Sequence, residues 1–190
     1  DLEYRDPLCE AFIKGAVEEG IPLNKDYNGE FQEGVSYVQR TTKGRFRVSA
    51  AKAFLNPVKS RQNLNVITDA FVTKIVIENK TATGVEYLKG GVRGKKEILR
   101  ANKEVILSSG VIKSPHLLNL SGIGSGEYLK DIGIDVIHDL KGVGMNLRDH
   151  FAPRMTARAK NIETVNEKSR GLKLLKEIGK YILGKQSIVN

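Results

Sequence analysis

The sequence predicts an α/β fold, and three features underlie that expectation. Residues 71–77, 83–88 and 97–99 are β-rich runs separated by short turn-forming stretches. Glu104, Val105, Ile106 and Leu107 form a short apolar run that ends in Ser108, Ser109 and Gly110 and leads into a helical pattern, as a buried strand does when it feeds a helix. Helical spacing returns near both ends, at Leu8, Phe12, Ile13 and Val17 and at Leu172, Leu175, Ile178 and Ile182.

Asp6 and Pro7 open the first helix, and Gly20 with Pro22 stops it. Asp26, Tyr27, Asn28 and Gly29 read as turn, and residues 30–43 as loop with a short strand. Ser49 is suited to cap a short helix over residues 50–55 that Pro57 ends. Residues 64–68 form a first short β-rich run. The turns at Asn79 and Lys80 and at Gly90, Gly91 and Gly94 then join the three later runs into a meander. Ser114 and Pro115 read as the cap and first-turn proline of the next helix, which presents Leu117, Leu118 and Leu120 and ends over residues 121–124. A second short helix over residues 127–132 stops at Gly133, and residues 134–137 read as a strand. Gly142, Gly144 and Asn146 punctuate a compact loop. After Pro153 the pattern turns polar through residues 154–166, so a boundary is expected near residues 151–158. A basic amphipathic helix follows and closes at Gly184.

With 190 residues, 40% of them hydrophobic, the chain can bury a core and is long enough for one domain, or one domain plus part of another. Its net charge of +9 raises nucleic acid or an anionic membrane as partners. The basic residues are scattered, however, and the densest group, Arg93, Lys95 and Lys96, sits beside turn glycines. Aromatics are only 6% with no Trp, which leaves few stacking platforms. No nucleic-acid partner is expected, and no stretch has the length of a membrane span. Cys9 is the only cysteine, and His116, His138 and His150 lie far apart in sequence, so neither a disulfide nor a metal site is expected. The sequence opens on Asp1 without a signal peptide, which reads as a fragment or processed product. Localisation stays open, an extracellular parent protein included.

Three constellations bear on chemistry. Residues 108–115 put small residues between a strand and a helix, which lets backbone N–H groups approach an anionic ligand. A plain strand–turn–helix joint has the same look. Ser109 lacks the Gly-x-Ser-x-Gly context of a hydrolase nucleophile. Gly142, Val143 and Gly144 suggest a dinucleotide loop, but no third glycine follows. Asp149 beside His150 reads first as a hydrogen-bonded structural pair, because neighbouring side chains diverge.

In order, residues 104–124 resemble the second signature of the glucose–methanol–choline (GMC) oxidoreductase family. The resemblance continues in Gly133 and Ile134, Asp139 and Leu140, Gly142 to Gly144, and Asn146, Leu147, Arg148, Asp149 and His150. Upstream, residues 26–30, 32–34, 49–55, 63–66 and 70–75 are similar to it as well. The flavour is that of the insect glucose dehydrogenase-like branch, and the resemblance fades after about Arg158. Val111 stands where the family usually has alanine, which adds bulk at a close packing position. Ser125 and Lys141 replace common prolines, and Arg148 a common glutamine.

The resemblance implies part of a Rossmann-like FAD-binding domain over residues 1–152, with β-hairpins in a meander, and the start of an α+β substrate-binding domain over residues 153–190. It implies FAD as cofactor and hydride transfer to the flavin from the CH–OH group of a small alcohol, sugar or sterol, with oxygen or another acceptor taking the electrons. By position, Val72 would meet the adenine end through its backbone. Ser109 and Gly110 would lie near the cofactor, and Asn146, Asp149 and His150 would pack on the flavin side. No Gly-x-Gly-x-x-Gly follows a first strand here, and nothing matches the family's catalytic histidine and its partner, so no catalytic residue is assigned. A non-catalytic descendant that keeps the domain as a binding or structural module is the alternative. A basic nucleic-acid-binding domain is a distant third reading.

Overall fold

A computed structural model describes residues 5–44, 46–153 and 155–189 of the chain. Asp1, and Arg154 at the start of the polar stretch, lie outside the described residues. Along the chain run α1 (Pro7–Glu18), the short strands β1 (Thr42–Lys43) and β2 (Phe46–Arg47), and β3 (Ala70–Glu78), β4 (Thr81–Lys89) and β5 (Lys95–Arg100). There follow α2 (Gly110–Leu120), β6 (Ile123–Gly124), α3 (Gly126–Asp131), β7 (His138–Asp139), α4 (Val165–Lys168) and α5 (Gly171–Ile182). Two compact units result, one of residues 1–61 with 154–190, the other of residues 62–153.

In the first unit, Asp6 caps α1 by accepting the Leu8 N–H at 2.9 Å. Pro7 sits at the first helical position, where its missing N–H costs no bond. Asp6 is buried and pairs with the Lys168 ammonium at 3.7 Å, so α4 is tied to the start of α1. The helix expected over residues 50–55 is one π-helical turn, Ala51–Leu55, running into a 3₁₀ turn, Asn56–Val58. Ser49 Oγ accepts the Lys52 N–H at 3.2 Å as a cap would, but Pro57 has no N–H to continue an α-helical ladder. The polar stretch after residue 154 contains an element that the hydrophobic pattern hides, α4, opened by a capping box between Thr164 and Glu167.

α5 ends at Ile182 with Leu183 as its cap, and Gly184 follows with a φ of 72° that suits only glycine comfortably. Glu177 on α5 is buried and holds the tail: its carbonyl accepts the Ser187 hydroxyl at 2.8 Å and its carboxylate the Ile188 N–H at 3.1 Å, with the Lys180 ammonium on the other oxygen. These bonds, the Lys180 contact foremost, pull the Glu177 carboxyl below its ordinary value of 4.5 against the opposing effect of burial. A depressed folded-state value means the stabilisation is full above the ordinary carboxylate range and is lost as pH falls through the lower folded value. Protection of the Ile188 amide from hydrogen exchange is therefore expected to drop on acidification below about pH 4.5. In Glu177→Gln that step should vanish.

The second unit is built on the β3–β4–β5 antiparallel meander. Asn79 and Lys80 take left-handed φ values of 50° and 64° at the β3–β4 turn. Ile75, Tyr87, Leu117 and Leu129 form the buried core with Ser121. β6 and β7 pair in parallel, Ile123 opposite His138 and Gly124 opposite Asp139, with α3 as the crossover. The Asp139 carboxylate accepts the Gly126 N–H at 2.9 Å, so β7 caps α3 from across the pair.

Four expectations are corrected in this unit. Residues 64–68 join no ladder among the described residues, because Asp69 is left-handed (φ 54°) and breaks the extended chain ahead of β3. Residues 103–107 likewise form no strand, although Val105 and Leu107 turn inward and Ile106 is 79% exposed. The alternation of a strand is present, but no neighbouring strand pairs with it among the described residues. The parallel strand falls at His138–Asp139 rather than at residues 134–137. α2 starts at Gly110 instead of Ser114: Ser114 Oγ accepts the Ser109 N–H at 3.1 Å, and Pro115 lies inside the helix. Val111 causes no crowding within this chain, being 69% exposed.

Candidate functional site

β3 is the outer strand of its sheet, so among the described residues one side of its backbone lacks a strand partner. Its register with β4 shifts between Val72, opposite Tyr87, and Lys74, opposite Glu86, which leaves Thr73 as a bulge. The Asp69 carbonyl accepts from the N–H groups of Gly90 and Gly91 and so points toward β4. Alternation along an antiparallel ladder then turns the N–H and C=O of Val72 to the open edge. Ile75, beyond the bulge, faces the same edge and donates its N–H to Ser121 Oγ at 2.8 Å. The Thr73 hydroxyl lies 2.8 Å from the Glu86 carboxylate and fixes the bulge beside Val72. That bond, with help from the Lys96 ammonium at 3.1 Å, holds the Glu86 carboxyl below its usual value.

At the start of α2, Gly110 has a φ of 83°, and both Ser109 and Gly110 are exposed. The helix begins in a left-handed step that only glycine takes without strain. The loop after β7 passes close to the same helix, since a Cβ on Gly144 would stand 3.8 Å from Pro115 Cβ. Asn146 in that loop is left-handed (φ 59°) and exposed. Asp149 and His150 do not form an acid–base dyad: the carboxylate accepts the backbone N–H of His150 at 2.8 Å, and both residues are exposed.

The structure thus brings the edge of β3 and the Gly144 loop to the same helix, and leaves Asp149 and His150 on the surface. A cleft of about 410 Å³ lies within this unit, walled by Ile75, Ile77, Val105, Leu107, Leu118, Ile123 and Ile137, with Lys80 and His138 among its lining. Sequence reading assigned no role to two residues that fasten this unit, Ser121 between α2 and β3 and Asp139 between β7 and α3. A serine at the end of a leucine-rich helix was the only signal for the first. Among the described residues there is no cluster of three or more metal-ligating side chains, and no helix is long and apolar enough to cross a membrane.

A family model described as GMC oxidoreductase matches residues 1–152. Over 147 residues the chain is 48% identical to the oxygen-dependent choline dehydrogenase of Rhizobium meliloti, covering 77% of this chain and 26% of that protein. It is 43% identical over 151 residues to the alcohol dehydrogenase [acceptor] of Pseudomonas putida, with 80% and 27% covered. Among solved structures, an FAD-dependent oxidoreductase from Chaetomium thermophilum superposes with a TM-score of 0.85 at 28% identity, over 99% of this chain and 33% of that one. Formate oxidase of Aspergillus oryzae gives a TM-score of 0.72 at 25% identity, over 100% and 32%. The fold is that of FAD-dependent oxidoreductases. The chain belongs to the GMC oxidoreductase family. It spans about a quarter of the length of the curated relatives it matches.

Proposed function

We propose that this chain is part of the FAD-binding region of an oxidoreductase acting on the CH–OH group of a small alcohol. The observation that supports it is the family match over residues 1–152. The residues present fit the adenine half of the cofactor: Val72 offers a donor and an acceptor side by side on an open edge, the pattern a flat base requires. The turn at Ser109 and Gly110 offers exposed backbone without a side chain in the way. Asn146, Asp149 and His150 would line the flavin side of the same unit. Residues 1–152 would form the cofactor domain and residues 153–190 the start of the substrate domain.

When bound, FAD supplies the acceptor for the hydride leaving the alcohol carbon. The chain's own part is to hold and orient it. Relatives named for choline and for alcohols favour a primary alcohol as substrate. The motifs shared with the insect glucose dehydrogenase-like branch point to a sugar or sterol hydroxyl as the narrower alternative. Mixing the whole protein anaerobically with choline, short alcohols and glucose decides between them. One of these is expected to bleach the bound flavin. A flavin that none of them reduces would contradict the alcohol-oxidising role and leave a non-catalytic binding domain.

A further inference from the structure

Ser121 is fully buried at the end of α2. Its hydroxyl donates to the Leu117 carbonyl at 2.6 Å and accepts the Ile75 N–H at 2.8 Å. One oxygen therefore fastens the helix to the outer edge of β3. With Thr73 bulged, Ile75 is the next position after Val72 whose backbone faces that edge. Ser121 satisfies the edge at one point and leaves the neighbouring point open. We propose that Ser121 is a positioning residue for adenine recognition: it sets the β3 edge against α2, so that the N–H and C=O of Val72 are held at a fixed place for the base. This rests on the FAD reading above.

Removing the hydroxyl leaves the Ile75 N–H buried without a partner and the strand edge free to shift. Adenine recognition should suffer more than flavin binding in general. The test is titration of the whole apoprotein with FAD and with flavin hypoxanthine dinucleotide, in which an oxo group replaces the adenine amino group. Hypoxanthine also carries a hydrogen on N1, so both bonds to Val72 are lost, and the unaltered protein is expected to favour FAD by at least roughly tenfold. In Ser121→Ala that preference should collapse toward unity. Ser121→Cys, which keeps the volume and a weaker acceptor, should fall between them and serves if the alanine variant does not fold. Ser187→Ala removes another fully buried hydroxyl, in the other unit, and should leave the preference intact.

An unchanged preference in Ser121→Ala and Ser121→Cys would overturn the role of Ser121 and leave the Val72 reading standing. An equal loss in Ser187→Ala would show general loosening and overturn it too. If the unaltered protein binds both dinucleotides alike, the Val72 reading falls and the proposal with it.

Discussion

Val72→Pro is expected to weaken FAD binding by at least roughly tenfold, the loss of one desolvated hydrogen bond, while the meander stays folded. Proline has no N–H to offer the base. Because the N–H of Val72 faces the open side of an edge strand, its removal breaks no bond of the β3–β4 ladder, and edge strands accept proline on that side. Val72→Ala keeps the backbone and should bind FAD nearly as the unaltered protein does. Cofactor titration alongside a thermal melt separates the two effects. A proline variant that keeps its FAD affinity would show that the base is read elsewhere. An alanine variant that loses it would assign the role to the side chain, which is 36% exposed.

Gly122→Ala should cost about 3 kcal/mol or more of stability, and Gly133→Ala only about 1–2 kcal/mol. Both glycines are left-handed, with φ of 80° and 74°. They differ in their surroundings. A Cβ on Gly122 would come within 2.5 Å of the Asp135 carbonyl oxygen, whereas one on Gly133 meets nothing within 4 Å. The Gly122 carbonyl also accepts the N–H groups of Ile137 and His138 at 2.8 and 3.1 Å. Pushing that backbone away therefore breaks the seam that aligns β6 with β7. Urea unfolding of the two variants measures the difference. Equal losses would mean that only the dihedral matters and that the chain around Asp135 gives way freely.

The elements that can be read from the sequence are those whose stabilising partners lie close along the chain. α1 shows its Asp6 cap and Pro7, the β3–β4 turn shows Asn79 and Lys80, and α3 stops where Gly133 stands. Where the deciding partner is distant, pattern alone fails. Val105 and Leu107 alternate with Ile106 as a strand does, but a ladder requires a neighbouring strand that the pattern cannot show. Ser114 and Pro115 look like a helix start, yet the left-handed Gly110 allows the helix to begin earlier. The same holds for the candidate site. Val72, Ser109, Gly110 and Asn146 are proposed from the family resemblance, which gives a residue's place in the motif but not its partner. Ser121 was not singled out, since its bond to Ile75 spans 46 positions and leaves no local trace. Asp139 on Gly126, 13 positions away, escaped for the same reason.

The decisive measurement is the identity of the flavin released when the purified whole protein is denatured. Chromatography of the extract should show FAD in stoichiometric amount, converted to FMN by phosphodiesterase. FMN released directly, or no flavin from protein prepared with excess FAD, would contradict an adenine-reading edge at β3 and the cofactor role assigned to this chain.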